Sequence, residues 1–132
     1  MNPYHHAVSS ARKFGGIWED YIEIHQWFDA SKEFMADFRH RALRHHAQGI
    51  FEAERKFGQT IMNAEYKRVP VRFIGEQHVT EDLGRIPSIQ DWFMQIHPTD
   101  WMRKAGTTKV ERTSLDEILS PATNNQPTTK QQ

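Results

Sequence analysis

Arg39-His40-Arg41-Ala42-Leu43-Arg44-His45-His46 places three histidines and three arginines in eight consecutive positions. Imidazole is the commonest metal ligand among side chains and titrates nearest neutral pH, so this stretch marks where chemistry would sit. Two further segments pair a histidine with an acid at helical reach. His25 and Asp29 are four apart, and His78 lies three before Glu81 and four before Asp82. Inward-facing histidines and carboxylates on neighbouring helices are how helical proteins build metal sites. The expected ligands are His25, Asp29, His40, His45, His78 and Asp82. With no cysteine in the chain the donor set is imidazole and carboxylate, which suits zinc, iron or manganese.

Such an ion would lower the pKa of a bound water and polarise a phosphoryl group. In that phosphoester-hydrolase reading Glu52 or Glu76 takes the water's proton, and Arg39 or Arg41 stabilises charge on the phosphate. The spacing contains no His-Glu-x-x-His and no adjacent His-Asp dyad, so the signal is the co-occurrence of pairs. A non-enzymatic reading uses the same residues to knit helices together or to hold a structural ion. A third reading takes Arg39 and His45, whose spacing resembles the Arg-x(4–6)-His pattern of metal-independent HEPN ribonucleases. There Arg would steady the scissile phosphate and His would act as acid or base across a homodimer. His46, on an apolar face, reads as a satisfied core histidine, and His5-His6 as a frayed helix start.

The elements that must position these groups read as mainly helical. Residues 4–14 form a helix opened near Pro3 and closed at Gly15-Gly16. Residues 17–28 carry Ile17, Tyr21, Ile24 and Phe28 on one face. Asp29 or Ser31 then caps a long central helix reaching Phe57, which places His45 on the same face as Glu52. Residues 68–74 alternate and are β-branched, so they read as a short extended segment demoted by Pro70 and broken at Gly75. A helical turn over Glu76–Leu83 ends at Gly84, and Ser88 caps a helix from Ile89 to about Ile96 whose Trp92, Phe93 and Ile96, with Trp101, dock on the core.

The result is a compact helical domain over residues 1–102, with one short β segment and a polar, largely disordered tail over residues 103–132. Within that tail Ser114-Leu115-Asp116-Glu117 has capping-box spacing and reads as a short helix or a docking peptide for a protein partner. Seventeen basic and seventeen acidic residues balance, which argues against a dedicated polyanion binder and leaves nucleic acid or a nucleotide as a partner only through a local patch. No stretch approaches the about 20 apolar residues of a membrane span, and no signal-peptide pattern opens the chain; a cytoplasmic protein is expected.

Residues 4–102 also carry a longer pattern: Phe14-Gly15-Gly16, Ile24-His25-x-Trp27-x-Asp29-x-Ser31-Lys32, the Arg39–His46 run, Gly75-Glu76-Gln77-His78-Val79 and Glu81-Asp82-Leu83-Gly84-x-Ile86-Pro87. In these the chain resembles an uncharacterised family of short proteins of tailed bacteriophages and bacteria. The resemblance implies a phage-type accessory protein acting inside the infected bacterium, and it implies no particular activity.

Overall fold

A computed structural model describes residues 1–104. The elements are α1 (Pro3–Phe14), α2 (Ile22–Asp29), α3 (Ala47–Phe57), β1 (Thr60–Met62), β2 (Arg68–Pro70), α4 (Val71–Leu83) and α5 (Ile89–Phe93). Short 3-10 segments lie at Trp18–Asp20, Ala30–Glu33, Phe38–Leu43 and Asp100–Arg103. The described chain is thus mainly helical, with one two-stranded antiparallel hairpin in which Ile61 faces Val69. No described helix is long and apolar enough to cross a membrane. The tail reading, including the segment at Ser114, lies outside the described residues.

Helix α1 starts where the sequence says it should. The Asn2 side chain accepts from the His5 amide, Pro3 occupies the first turn, and Gly15 ends the helix at φ 90. Tyr21 then donates its hydroxyl to the Gly15 carbonyl at 2.6 Å, tying the start of α2 to the end of α1. Apolar packing is carried by Tyr21, Ile24, Phe28, Ile50, Ile74 and Val79, all 4 % exposed or less.

The long central helix expected over residues 32–57 does not form. Asp37 caps a separate 3-10 turn by accepting from the Arg39 amide, and the chain is extended at His46 before α3 begins at Ala47. Gly49 explains the break locally: a Cβ there would run into the Arg44 carbonyl, so the preceding turn folds back against α3. His45 and Glu52 therefore do not share a helical face.

The segment after the hairpin also differs from expectation. Only Arg68–Pro70 is strand; α4 starts directly at Val71 and runs through Gly75. Pro70, extended at φ −62 and ψ 129, ends the strand and precedes the first helical residue. The β-branched Val71, Ile74 and Val79 fill the core from a helix, so burial overrides their strand preference. Gly75 is not a breaker but a contact point, since a Cβ there would sit 3.1 Å from Phe28 and 3.2 Å from Ile50. Phe93, Ile96 and Trp101, in a second unit that begins at Gln90, are 54 %, 52 % and 78 % exposed.

Candidate metal centre

Six of the eight histidines are buried: His6, His25, His40, His45, His46 and His78. Four of these, with Asp29, Asp82 and Glu81, form one polar nucleus between α1, α2, α4 and the turn before α3. Helical periodicity places most of them. His25 and Asp29 sit one turn apart on α2, and His78 and Asp82 one turn apart on α4. His45 is delivered by the turn that Gly49 permits.

At the centre, His45 Nε2 lies 3.0 Å from Asp82 Oδ2, 3.1 Å from His78 Nε2 and 3.4 Å from Asp29 Oδ1. His78 Nε2 lies 3.2 Å from Asp29 Oδ1 and 3.4 Å from Asp82 Oδ2. Ligands about 2.0–2.2 Å from one ion stand about 3.3–3.6 Å apart in a tetrahedron and about 2.8–3.1 Å apart at right angles. The five separations fall in that span. The four side chains are between 0 % and 5 % exposed. Asp29 Oδ2 is buried and has no hydrogen-bond partner among the described residues. Two imidazoles and two carboxylates aimed at one point, with an unpaired buried carboxylate oxygen beside it, fit a divalent cation.

Electrostatics agree with the geometry. Burial pushes the Asp29 and Asp82 carboxyls up, but hydrogen bonds outweigh it, from His45 and His78 at Asp29 and from His45, His6 and His78 at Asp82, and hold both below the usual carboxylate range. Burial lowers His45, and its hydrogen bonds to the same two acids raise it above its ordinary value. His25 is held down to about 2 by burial and by its neighbours His78 and His6.

Around this centre lies a second layer. His25 Nδ1 is 2.9 Å from His78 Nδ1, and His25 Nε2 is 2.8 Å from Ser10 Oγ. His6 places Nε2 3.1 Å from Asp82 Oδ1 and Nδ1 2.7 Å from Glu81 Oε1, while Ser9 donates to Glu81 Oε2 at 2.5 Å. His6, His25 and His78 form a second set in which one ring nitrogen from each lies within 4.8 Å of the others. The expected frayed helix start at His5-His6 does not hold for His6, which is fully buried. Its signal was available: with Asn2 capping and Pro3 leading, His6 and Ser10 share one face of α1, one turn apart.

The remaining sequence candidates lie elsewhere. His40 is buried but faces Ser31, with Nδ1 3.1 Å from Ser31 Oγ, and does not join the four central atoms. Glu52 accepts from Gln48 and pairs with Arg55, and Glu76 pairs with Arg72, each in a side chain 44 % exposed. Arg39 is spent on Asp37 with its side chain 63 % exposed. Arg41 alone reaches the centre, with Nη2 3.9 Å from Asp82 Oδ1 and its side chain 26 % exposed. His46 accepts from the Gly49 amide through Nδ1 and donates from Nε2 to the Leu43 carbonyl, which satisfies both nitrogens and caps α3. In the ribonuclease reading His45 must meet a substrate across a groove, whereas here it is fully buried.

Comparison with known proteins adds one family. Residues 1–102 match the model of a domain of unknown function, DUF6915, and the chain belongs to that family. No curated protein and no solved structure matches the chain.

Proposed function

We propose that this DUF6915 protein binds a divalent metal ion through Asp29, His45, His78 and Asp82, and that the ion fastens α2, the turn before α3 and α4 to one another. The observation that carries this reading is the set of five ligand-to-ligand separations between 3.0 and 3.4 Å. Four protein ligands with 5 % exposure or less suit a closed, structural ion better than a catalytic one, which keeps a position open. Zinc, iron and manganese all accept this donor set.

The test is elemental analysis of protein purified without a histidine tag, followed by cobalt substitution. A stoichiometric metal that His45→Ala removes supports the proposal. Absence of stoichiometric metal, with no uptake of added zinc, iron or manganese, ends it.

A second reading, metal-dependent phosphoester hydrolysis, draws on Arg41 and Asp29. The partly exposed Arg41 guanidinium beside Asp82 would hold a phosphate, and Asp29 Oδ2 has a free lone pair beside the ion for a water's hydrogen. Phosphate or azide added to the cobalt protein separates the two: an altered visible spectrum means an open ligand position. The resemblance to bacteriophage proteins adds an expected setting in an infected bacterium, checked by following the protein's abundance during phage growth.

A further inference from the structure

The histidine-rich nucleus contains two overlapping sets that have the composition of metal sites, His6/His25/His78 and Asp29/His45/His78/Asp82. Hydrogen-bond direction distinguishes them. Gln77 puts Nε2 3.0 Å from the His6 carbonyl and 3.0 Å from Glu81 Oε1. Both partners only accept, so this atom is the amide nitrogen, and the other end of Gln77 must accept. It does so from the Ser10 hydroxyl at 2.6 Å. That uses Ser10's only hydrogen. At 2.8 Å Ser10 Oγ must therefore accept from His25 Nε2.

The next link follows from burial. His25 is fully buried and contacts no carboxylate among the described residues, so a charged ring there would lack a counter-ion. Neutral His25 protonated at Nε2 carries its lone pair on Nδ1. Across 2.9 Å it accepts from His78 Nδ1. His78, with one hydrogen on Nδ1, carries a lone pair on Nε2 whenever the ring is neutral, the form that binds a metal ion. That lone pair faces Asp29 Oδ1 at 3.2 Å and Asp82 Oδ2 at 3.4 Å. A lone pair directed at two carboxylates is repulsive unless a proton or a metal ion stands between them.

We infer that Gln77, Ser10 and His25 are positioning residues that lock the metal-binding tautomer of His78, so that the nucleus takes one ion at Asp29/His45/His78/Asp82 and none at His6/His25/His78. His25 has no nitrogen left to donate to a second ion, since Nε2 serves Ser10 and Nδ1 serves His78. His6 is likewise occupied at both nitrogens, by Glu81 and Asp82. This inference rests on the metal reading proposed above and assigns it a stoichiometry and a supporting layer.

The experiment combines zinc titration with elemental analysis and long-range nitrogen–proton NMR of the histidine rings in the full-length protein. One zinc per chain is expected, with His78 protonated at Nδ1 and bound through Nε2. Ser10→Ala should weaken zinc about 10- to 100-fold and disturb the His25 and His78 tautomers, and Ser10→Thr should restore both. Two zinc ions per chain, or a His78 protonated at Nε2, overturns the inference while leaving a metal protein. So does a Ser10→Ala protein with unchanged affinity and tautomers. No bound zinc at all removes the metal reading and this inference together. The tautomer of the unmutated protein is readable even if Ser10→Ala does not fold.

Discussion

His78 Nε2 and His45 Nε2 stand 3.1 Å apart although their residues are separated by 33 positions. Two imidazole nitrogens at that distance need a proton or a metal ion between them, because two lone pairs repel. Asp29 and Asp82 close in on the same point, so negative charge accumulates where a cation is needed. The nucleus is built against its own electrostatics unless something positive fills it.

Filling it should stabilise the fold. A ligand that binds only the folded state adds about 2.7 kcal/mol at a hundredfold excess over its Kd. Zinc should therefore raise the melting temperature by several degrees, and EDTA should reverse the rise. Calorimetry with and without EDTA checks this; identical melting curves in the presence of saturating zinc would contradict it.

Asp82 is the acid most heavily engaged, with His6 on Oδ1 and His45 and His78 on Oδ2. Asp82→Asn removes the negative charge that His6, His45 and an ion at the centre face. We expect a loss of about 3–5 kcal/mol of stability, the usual cost of breaking a buried ion pair, together with loss of metal. Glu52→Gln, at a surface pair with Arg55, should change stability by less than about 1 kcal/mol and leave metal content intact. Urea unfolding and elemental analysis of the two variants give the comparison.

Adjacent histidines should behave oppositely. His46 caps α3 and its ring bonds are both internal to that turn, so His46→Ala should cost about 1 kcal/mol and leave the metal in place. His45→Ala should remove the metal. Denaturation and metal content measured on both variants decide the point.

Acid should weaken the metal-free protein through His25. Its pKa is about 2 when folded, against an ordinary 6.5. Between these values the unfolded chain binds a proton that the folded chain refuses. The His25 contribution is thus full above 6.5 and declines as pH falls, by at most about 1.4 kcal/mol per unit. His45, shifted upward, has the opposite sign: its contribution is full below its ordinary value and is lost as pH rises through the folded one. Urea unfolding in EDTA should show the stability gap between wild type and His25→Phe narrowing from pH 7 to pH 5. A constant gap would refute it.

How much of this was legible depended on whether the helix was continuous. On α2 and α4 it is, so the pairs His25/Asp29 and His78/Asp82 followed from spacing alone. Between Ala30 and His46 it is not, and a helical wheel drawn through that stretch put Glu52 beside His45 when it faces Arg55. The pairing of His6 with Glu81 escaped for a different reason. Their roles arise from α1 packing across α4, a contact between segments 75 residues apart that no local pattern encodes. Ser10 and Gln77 carry no chemical signal as residue types; only their hydrogen-bond directions give them a part.

Gly49 joins the backbone to the site. Its missing Cβ is what lets the Arg44 carbonyl approach α3, and that approach turns the chain so that His45 points inward while His46 caps the helix. Gly49→Ala improves intrinsic helix propensity by about 1 kcal/mol, so on an isolated helix it would stabilise. Here the added methyl meets backbone rather than a flexible side chain, and the turn from Arg44 to His46 must move. We expect a net loss of stability and a fall in metal affinity together. In Gly75→Ala the atoms nearest the new methyl belong to Phe28 and Ile50 at 3.1 and 3.2 Å, side chains that need give by only a few tenths of an ångström, so it should cost less and keep the metal. Calorimetry paired with zinc titration of the two variants tests the link; a Gly49→Ala protein that melts higher and binds zinc normally would show that the turn does not depend on the glycine.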